Sequence, residues 1–270
     1  MLSATLIVLV GQVVAEPQDK PDASAQQERY ESFLRAARRY EMRLEKDSEA
    51  LKIVDKPVLR WGNQARDNDD GAVFIWTRHG RPQAVVAIFV IGDRTMHEMC
   101  SLAEAPLKAT WSEGSAVWRP ARTGGVFRKV PGAPVPAETG RARLAQMRTI
   151  AGNFTAATSA PPDYGGGRSH GELRLMPQPL YRNDGESPTA LDGALFTFAF
   201  GTDPEVLLVL EARKTPDGPV WHYAAAPFTD FEIDLKYKGE LVWSEPLAQA
   251  SRVPMRERTH AGIWEDELGE

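Results

Sequence analysis

The stretch Leu191-Asp192-Gly193-Ala194-Leu195-Phe196, continuing through Pro204 to Arg213, has a weaker counterpart earlier in the chain. That counterpart is Asp70-Gly71-Ala72-Val73-Phe74, continuing through Pro82 to Ile91. An arginine (60 and 182), an alanine (72 and 194) and a proline (82 and 204) all recur at one spacing, 122 residues. A fixed period of this kind signals an internal duplication. The 270-residue chain is accordingly read as two similar units, residues 26–118 and 139–250.

Working outward from the repeated phrase, β-branched and aromatic residues dominate Gly71 to Thr77. The turn signal Arg78-His79-Gly80-Arg81-Pro82 then leads into the apolar run Ala84 to Ile91. A run of this kind bounded by turn residues predicts a central strand covered on both faces, because a strand with one wet face would alternate. Ala194 to Phe200, the turn Gly201-Thr202-Asp203-Pro204 and Val206 to Leu210 repeat the arrangement. Val220 to Tyr223 corresponds in order to Met96-His97-Glu98. Shorter strands are expected at Val58–Trp61, Lys108–Trp111, Ala116–Trp118, Leu173–Met176 and Leu180–Arg182. Phe231 to Tyr237 alternates strictly, turns at Lys238-Gly239 and returns through Trp243, which predicts a hairpin with one buried face.

A helix precedes each set of strands. Ser24 and Gln27 form a capping box, and Tyr30, Phe33, Leu34, Ala37, Tyr40 and Leu44 follow at helical spacing. Arg35, Arg38, Arg39 and Arg43 fall on its solvated side. Thr139 caps a second helix running to about Thr155, with Leu144, Met147, Ile150, Ala151 and Phe154 as its stripe. The predicted class is α+β: two tandem units, each a helix packed on a curved antiparallel sheet in a cystatin- or NTF2-like layout. The alternative is one continuous antiparallel barrel-like sheet with two helices. Residues 119–138, with four prolines and three glycines, read as a linker, and 251–270 as a charged tail anchored at most by Ile263-Trp264.

Residues 1–15 carry no charge and end in small residues at Val13-Val14-Ala15, as a signal peptide does. A retained N-terminal anchor is the alternative, since the leading segment lacks Lys and Arg. Residues 16–25 read as a polar lead-in, the mature protein as exported, and no transmembrane span is expected after signal removal. A net charge of −5 and a pI of about 5.7 remove the electrostatic basis for nucleic-acid binding. Cys100 is the only cysteine, so disulfides within the chain and all-cysteine metal sites are excluded. The five histidines, 79, 97, 170, 222 and 260, stand at no close metal spacing, and no metal or cofactor is expected.

Several motifs fail on context. Gly167-Arg168-Ser169-His170-Gly171 matches a nucleophile elbow, but the elbow needs a strand before the serine and a helix after it. Here a Pro/Gly-rich stretch precedes and an alternating one follows. The same glycines lack the lysine of a phosphate loop. His97-Glu98 lacks the second histidine of a zinc protease, since position 101 is serine, and Cys100 reads as a structural thiol. Asp70 and Asp192 read as turn formers before Gly-Ala. Arg60 and Arg182 each adjoin an aromatic, Trp61 or Tyr181, which suits stacking or a ligand-facing cation. Glu211 ends an apolar strand and has no acidic or basic counterpart in the first unit, so it reads as an edge charge or a specific polar group in a pocket.

The phrases Asp70–Thr77, Leu173–Arg182, Asp192–Phe196, Gly201-Thr202-Asp203-Pro204-Glu205 and Glu211-Ala212-Arg213 resemble an uncharacterised family of exported proteins of planctomycete-type bacteria. The resemblance implies the exported compartment and carries no activity. The leading expectation is a non-enzymatic exported binding or envelope-associated protein with a cleft between helix and sheet. Its candidate ligand-binding residues are Arg60, Arg182, His97, His222 and Glu211, and its partner a small apolar ligand, a polymer or another protein. The rival is a hydrolase built in the same concavity from His97, Glu98, His222 or Glu211, with His97 and His222 joined across the units. No catalytic residue follows from the sequence.

Overall fold

The computed structural model describes residues 23–63, 68–112, 114, 116–160, 169–183 and 187–269. The expected signal peptide 1–15 and the lead-in up to residue 22 lie outside these residues. The N-terminal half comprises α1 (Ala23–Ala37), β1 (Tyr40–Leu44), β2 (Lys52–Ile53), β3 (Leu59–Asn63), β4 (Asn68–Arg78), β5 (Arg81–Ile91), β6 (Arg94–Ser101), β7 (Leu107–Trp111) and β8 (Ala116–Trp118). There follow β9 (Arg128–Lys129), α2 (Gly140–Ala151), β10 (Phe154–Ala160), β11 (Ser169–Leu175), β12 (Tyr181–Asn183), β13 (Ala190–Phe200), β14 (Asp203–Arg213), β15 (Val220–Pro227), β16 (Glu232–Tyr237), β17 (Glu240–Glu245) and β18 (His260–Trp264).

Among the described residues the protein is α+β, mostly antiparallel sheet with two α-helices, curled like half a barrel. Both ends of β4 and β13, and both ends of β5 and β14, lie 122 residues apart, so the spacing of the repeated phrase is the spacing of the long hairpins. The β4–β5 turn places His79 at φ 48° and Gly80 at φ 71°, and the β16–β17 turn places Lys238 and Gly239 at φ 50° and 88°. Two-residue turns with both φ values positive match the twist of the strands they join. The strands fall into a six-stranded sheet (β18-β6-β5-β4-β2, with β3 on β4), a nine-stranded sheet (β17-β16-β10-β11-β13-β14-β15-β9, with β12 on β13) and a three-stranded one (β1-β7-β8). Among the described residues the pairing makes three sheets and not one continuous sheet.

Side-chain alternation sorts the long strands into layers. Ala72, Phe74 and Trp76 of β4, with Val86 and Ile88 of β5, meet Tyr30 and Phe33 of α1 in one core cluster. Phe196, Phe198, Leu208 and Leu210 meet Met147 and Ile150 of α2 in another. The intervening residues, Val73, Ile75, Val85 and Ala87 from one sheet and Leu195, Leu207 and Val209 from the other, join in a third. The two large sheets therefore pack on each other while a helix covers each outer face. The long strands are apolar on both sides for this reason.

The repeated Asp-Gly-Ala fits the same alternation. Asp70 and Asp192 lie inside β4 and β13, fully buried, so the turn-former reading is corrected. Asp70 accepts from Gln26 Nε2 (2.9 Å) and from Arg29, both on α1. Asp192 accepts from Arg143 Nε of α2 (2.9 Å) and from Arg182 Nη2 and Nε (2.8 and 3.2 Å). Each carboxylate thus ties its helix to its sheet. The neighbouring glycines face the inter-sheet layer: a Cβ on Gly71 would lie 2.5 Å from the Trp61 ring.

Other boundaries move. α1 begins before Ser24 and ends at Ala37, and Tyr40 to Leu44 form β1, where alternation buries Tyr40 and Met42 against β7. Thr139 caps α2 as expected, accepting from Ala142 N–H (3.3 Å), but the helix stops at Ala151, and Phe154 opens β10. Residues 119–138 are bound to both halves: β9 extends the larger sheet, and Gly124 sits so close that a Cβ would lie 1.8 Å from Ser101 O. The tail is no loose end, because β18 pairs with β6 along its whole length.

Removing the Asp192 carboxylate takes its ion-pair partner from Arg143, which is 8% exposed. Asp192→Ala is expected to lower unfolding free energy by about 3 kcal/mol or more. Asp70→Ala should cost less, because Arg29 is 35% exposed and reaches water. Urea denaturation of the two variants checks the order.

Candidate functional site

The five residues singled out from sequence do not converge. Arg182 is engaged by Asp192, and the exposed Arg60 stacks over the Tyr30 ring at 4.3 Å, so both serve the helix–sheet contact. His97 points into the α1 core. Its Nδ1 lies 2.8 Å from the Tyr40 hydroxyl, its ring packs on Trp111, and Glu265 stands 3.9 Å from Nε2. Burial lowers its pKa, against the pull of Glu265. His222 lies on the opposite, inter-sheet side of its own strand, with Nδ1 3.1 Å from its own chain's Val220 carbonyl. His97 and His222 therefore belong to different layers, and the shared site is not formed.

Glu211 does mark a specific place. Arg81 Nε lies 2.5 Å from its Oε1 and Arg213 Nε 3.4 Å from its Oε2, while Glu104 binds the same two guanidinium groups (3.0 and 2.5 Å). Phe127 is within cation–π distance of both arginines, 4.7 and 4.4 Å. Two arginines and two glutamates cancel in charge and join the halves, so Glu211 is a buried brace. Cys100 is wholly buried, and burial carries its thiol pKa well up, which leaves it unreactive. Ser169 to Gly171 open β11 and pair with β10; a serine at a strand's start lacks the helix an elbow requires. Gly167 and Arg168 lie outside the described residues.

A cluster that spacing alone conceals forms where β18 returns to β6. Alternation turns Glu98 and His260 to the same, inter-sheet side, and His260 Nε2 donates to Glu98 Oε1 at 2.8 Å. Asp230 Oδ1 stands 3.5 Å from Nδ1, and the Phe228 ring packs edge-on at 6.4 Å. Burial by itself would lower the His260 pKa; Asp230 and Glu98 outweigh it and carry the pKa to about 9. Asp230 is 58% exposed, so water screens its share and the buried bond to Glu98 is the firmer tie. Burial raises the pKa of Glu98 and of Glu245 nearby, opposed by His260 in both cases.

His260 forms part of the wall of a cavity of about 450 Å³, together with Thr229, Leu247, Ala250, Val253 and Arg258. A second cavity, about 140 Å³, lies between β15 and β17 beside Tyr223, Ala225 and Trp243. Arg122, Pro227, Glu245 and Thr259 border both, so the two form one elongated groove. The space between each helix and its sheet, where a cleft was expected, is filled by core side chains. Among the described residues no group of three or more His, Cys, Asp or Glu is placed to hold a metal ion, and no helix is long and apolar enough to cross a membrane. Comparison with protein-family models, with curated proteins and with solved structures finds no match.

A folded-state pKa above the ordinary 6.5 means that the imidazolium favours the folded chain. Its stabilisation is complete below about pH 6.5 and disappears as pH rises through about 9. Relative to His260→Gln, the wild type should lose on the order of 2 kcal/mol over that window, read by urea denaturation. NMR titration should find His260 turning near pH 9 and His97 below 6.5.

Proposed function

We propose that this is a non-enzymatic exported binding protein whose ligand occupies the groove between β15, β17 and the segment leading into β18. The observation that carries the reading is the setting of His260 in the groove wall, between Glu98 and Asp230. Carboxylates face both ring nitrogens, and the ring stays charged at neutral pH. An imidazolium with both nitrogens acting as donors has no lone pair with which to take a proton from a nucleophile. It holds charge in place. Around it the groove offers Pro227, Leu247, Ala250 and Val253 as apolar contacts, with Arg122, Glu245 and Arg258 at intervals. An apolar trough with a few fixed polar groups is the usual form of a binding site. The compartment rests on the uncharged leader and on the resemblance to exported planctomycete-type proteins. The outline of each half as a cystatin- or NTF2-like unit belongs to the same reading.

The rival, a hydrolase, has its best geometry in the same wall, in the 2.8 Å Glu98–His260 pair. The two readings separate cleanly. A thermal-shift panel of fatty acids, oligosaccharides and mixed peptides should raise the melting temperature for at least one class; a ligand at a hundred times its Kd adds about 2.7 kcal/mol. Ala250→Trp, at an exposed position in the groove wall, should fold normally and lose the shift. Turnover of ester, peptide or glycoside chromogens that vanishes in His260→Gln would overturn the non-enzymatic reading.

A further inference from the structure

The groove has the form of a missing strand. β17 pairs only with β16 among the described strands, which leaves its other edge open. That edge looks across the groove at β15: Tyr223, Ala225 and Pro227 border the smaller cavity on one side, Trp243 and Glu245 on the other. The register between β16 and β17 skips Val242, and the Val242 carbonyl accepts from Arg128 Nη1 at 2.7 Å. A side chain thus already supplies a donor that a neighbouring strand's N–H would otherwise provide. Arg128 itself belongs to β9, which pairs with β15 for two residues, Tyr223 with Arg128 and His222 with Lys129. Beyond these two residues the slot between β15 and β17 continues as cavity.

The edge carries one protective device, the bulge at Val242, and no charge or proline along its middle. Natural edge strands are blunted by lysines, inward charges or prolines. The middle of β17 reads Leu241-Val242-Trp243-Ser244, with proline only at 246, after the strand ends. Val126 and Val253, 57% and 41% exposed, border the groove. Exposed aliphatic side chains beside an open strand edge suit an extended partner whose alternate side chains are apolar.

The geometry points to an extended polypeptide segment of another protein as the ligand, added as a strand between β15 and β17 in line with β9, with alternating β-branched residues turned to the groove. This assignment rests on the binding reading above and names its ligand class. Main-chain hydrogen bonds to β15 and β17 supply the affinity, and the apolar contacts with Ala225 and Val126 supply the preference.

Immobilised random octapeptides, probed with the full chain, test it. Retained peptides should alternate Val, Ile, Leu or Thr with polar residues. N-methylation of either alternate set of backbone amides should weaken binding about tenfold or more, because a strand inserted between two others turns one set to β15 and the other to β17. Amide exchange at Leu241 to Ser244 should slow on binding. Ala225→Trp should abolish retention; should that variant not fold, Val126→Glu, at an exposed position, takes its place. Equal binding of parent and N-methylated peptides overturns the strand. So does a chain that retains no peptide yet shows a small-molecule thermal shift lost in Ala250→Trp, a result that leaves the binding reading standing. No retention and no shift removes both.

Discussion

Both faces of the long hairpins β4–β5 and β13–β14 are buried, and much of the rest of the molecule follows from that constraint. The layer between the sheets takes one set of alternate side chains from β4, β5, β13 and β14, and each helix takes the other. A strand so placed has no wet face on which to carry a ligand-binding side chain. Chemistry is left to the sheet margins, to the segments that cross between sheets and to the tail. The groove lies there.

The same constraint explains the buried ions. A carboxylate inside a strand covered on both sides is costly unless guanidinium or amide donors meet it. Asp70 and Asp192 are met from the helices, and Glu211 from Arg81 and Arg213. These pairs fix where each helix lies and how the halves abut, whereas hydrophobic packing alone tolerates sliding. Glu98 and His260 differ only in lying beside a cavity. That position makes this structural pair the candidate site.

The sequence reveals the long strands, their turns and the Lys238-Gly239 hairpin because period, composition and turn residues all agree at those places. It also shows the double burial of Ala84 to Ile91, since an unbroken apolar run has no other use there. It conceals β1 and β10, because Tyr40 and Phe154 continue a helical spacing just where alternation begins. Asp70 and Asp192 mislead in another way: Asp-Gly is a turn dipeptide, and only tertiary partners such as Arg29 and Arg143 can keep the aspartate inside a strand. The candidate site is hidden by distance along the chain. Glu98 and His260 are 162 positions apart, and the one local hint, the short run Ala261-Gly262-Ile263-Trp264 in a charged tail, shows a strand without showing its neighbour. The groove is lined from β15, β17 and the segment leading into β18, which only the fold brings together.

β18 gives the chain an order of completion. The six-stranded sheet begins with residues near the N-terminus and closes its far edge with residues 260–264. Until these emerge, β6 has a bare edge, the first core lacks Ala261 and Ile263, and Glu98 faces inward without a cation. The N-terminal half therefore does not complete its sheet or its core without residues 260–264, and the groove wall around His260 forms only once they are in place.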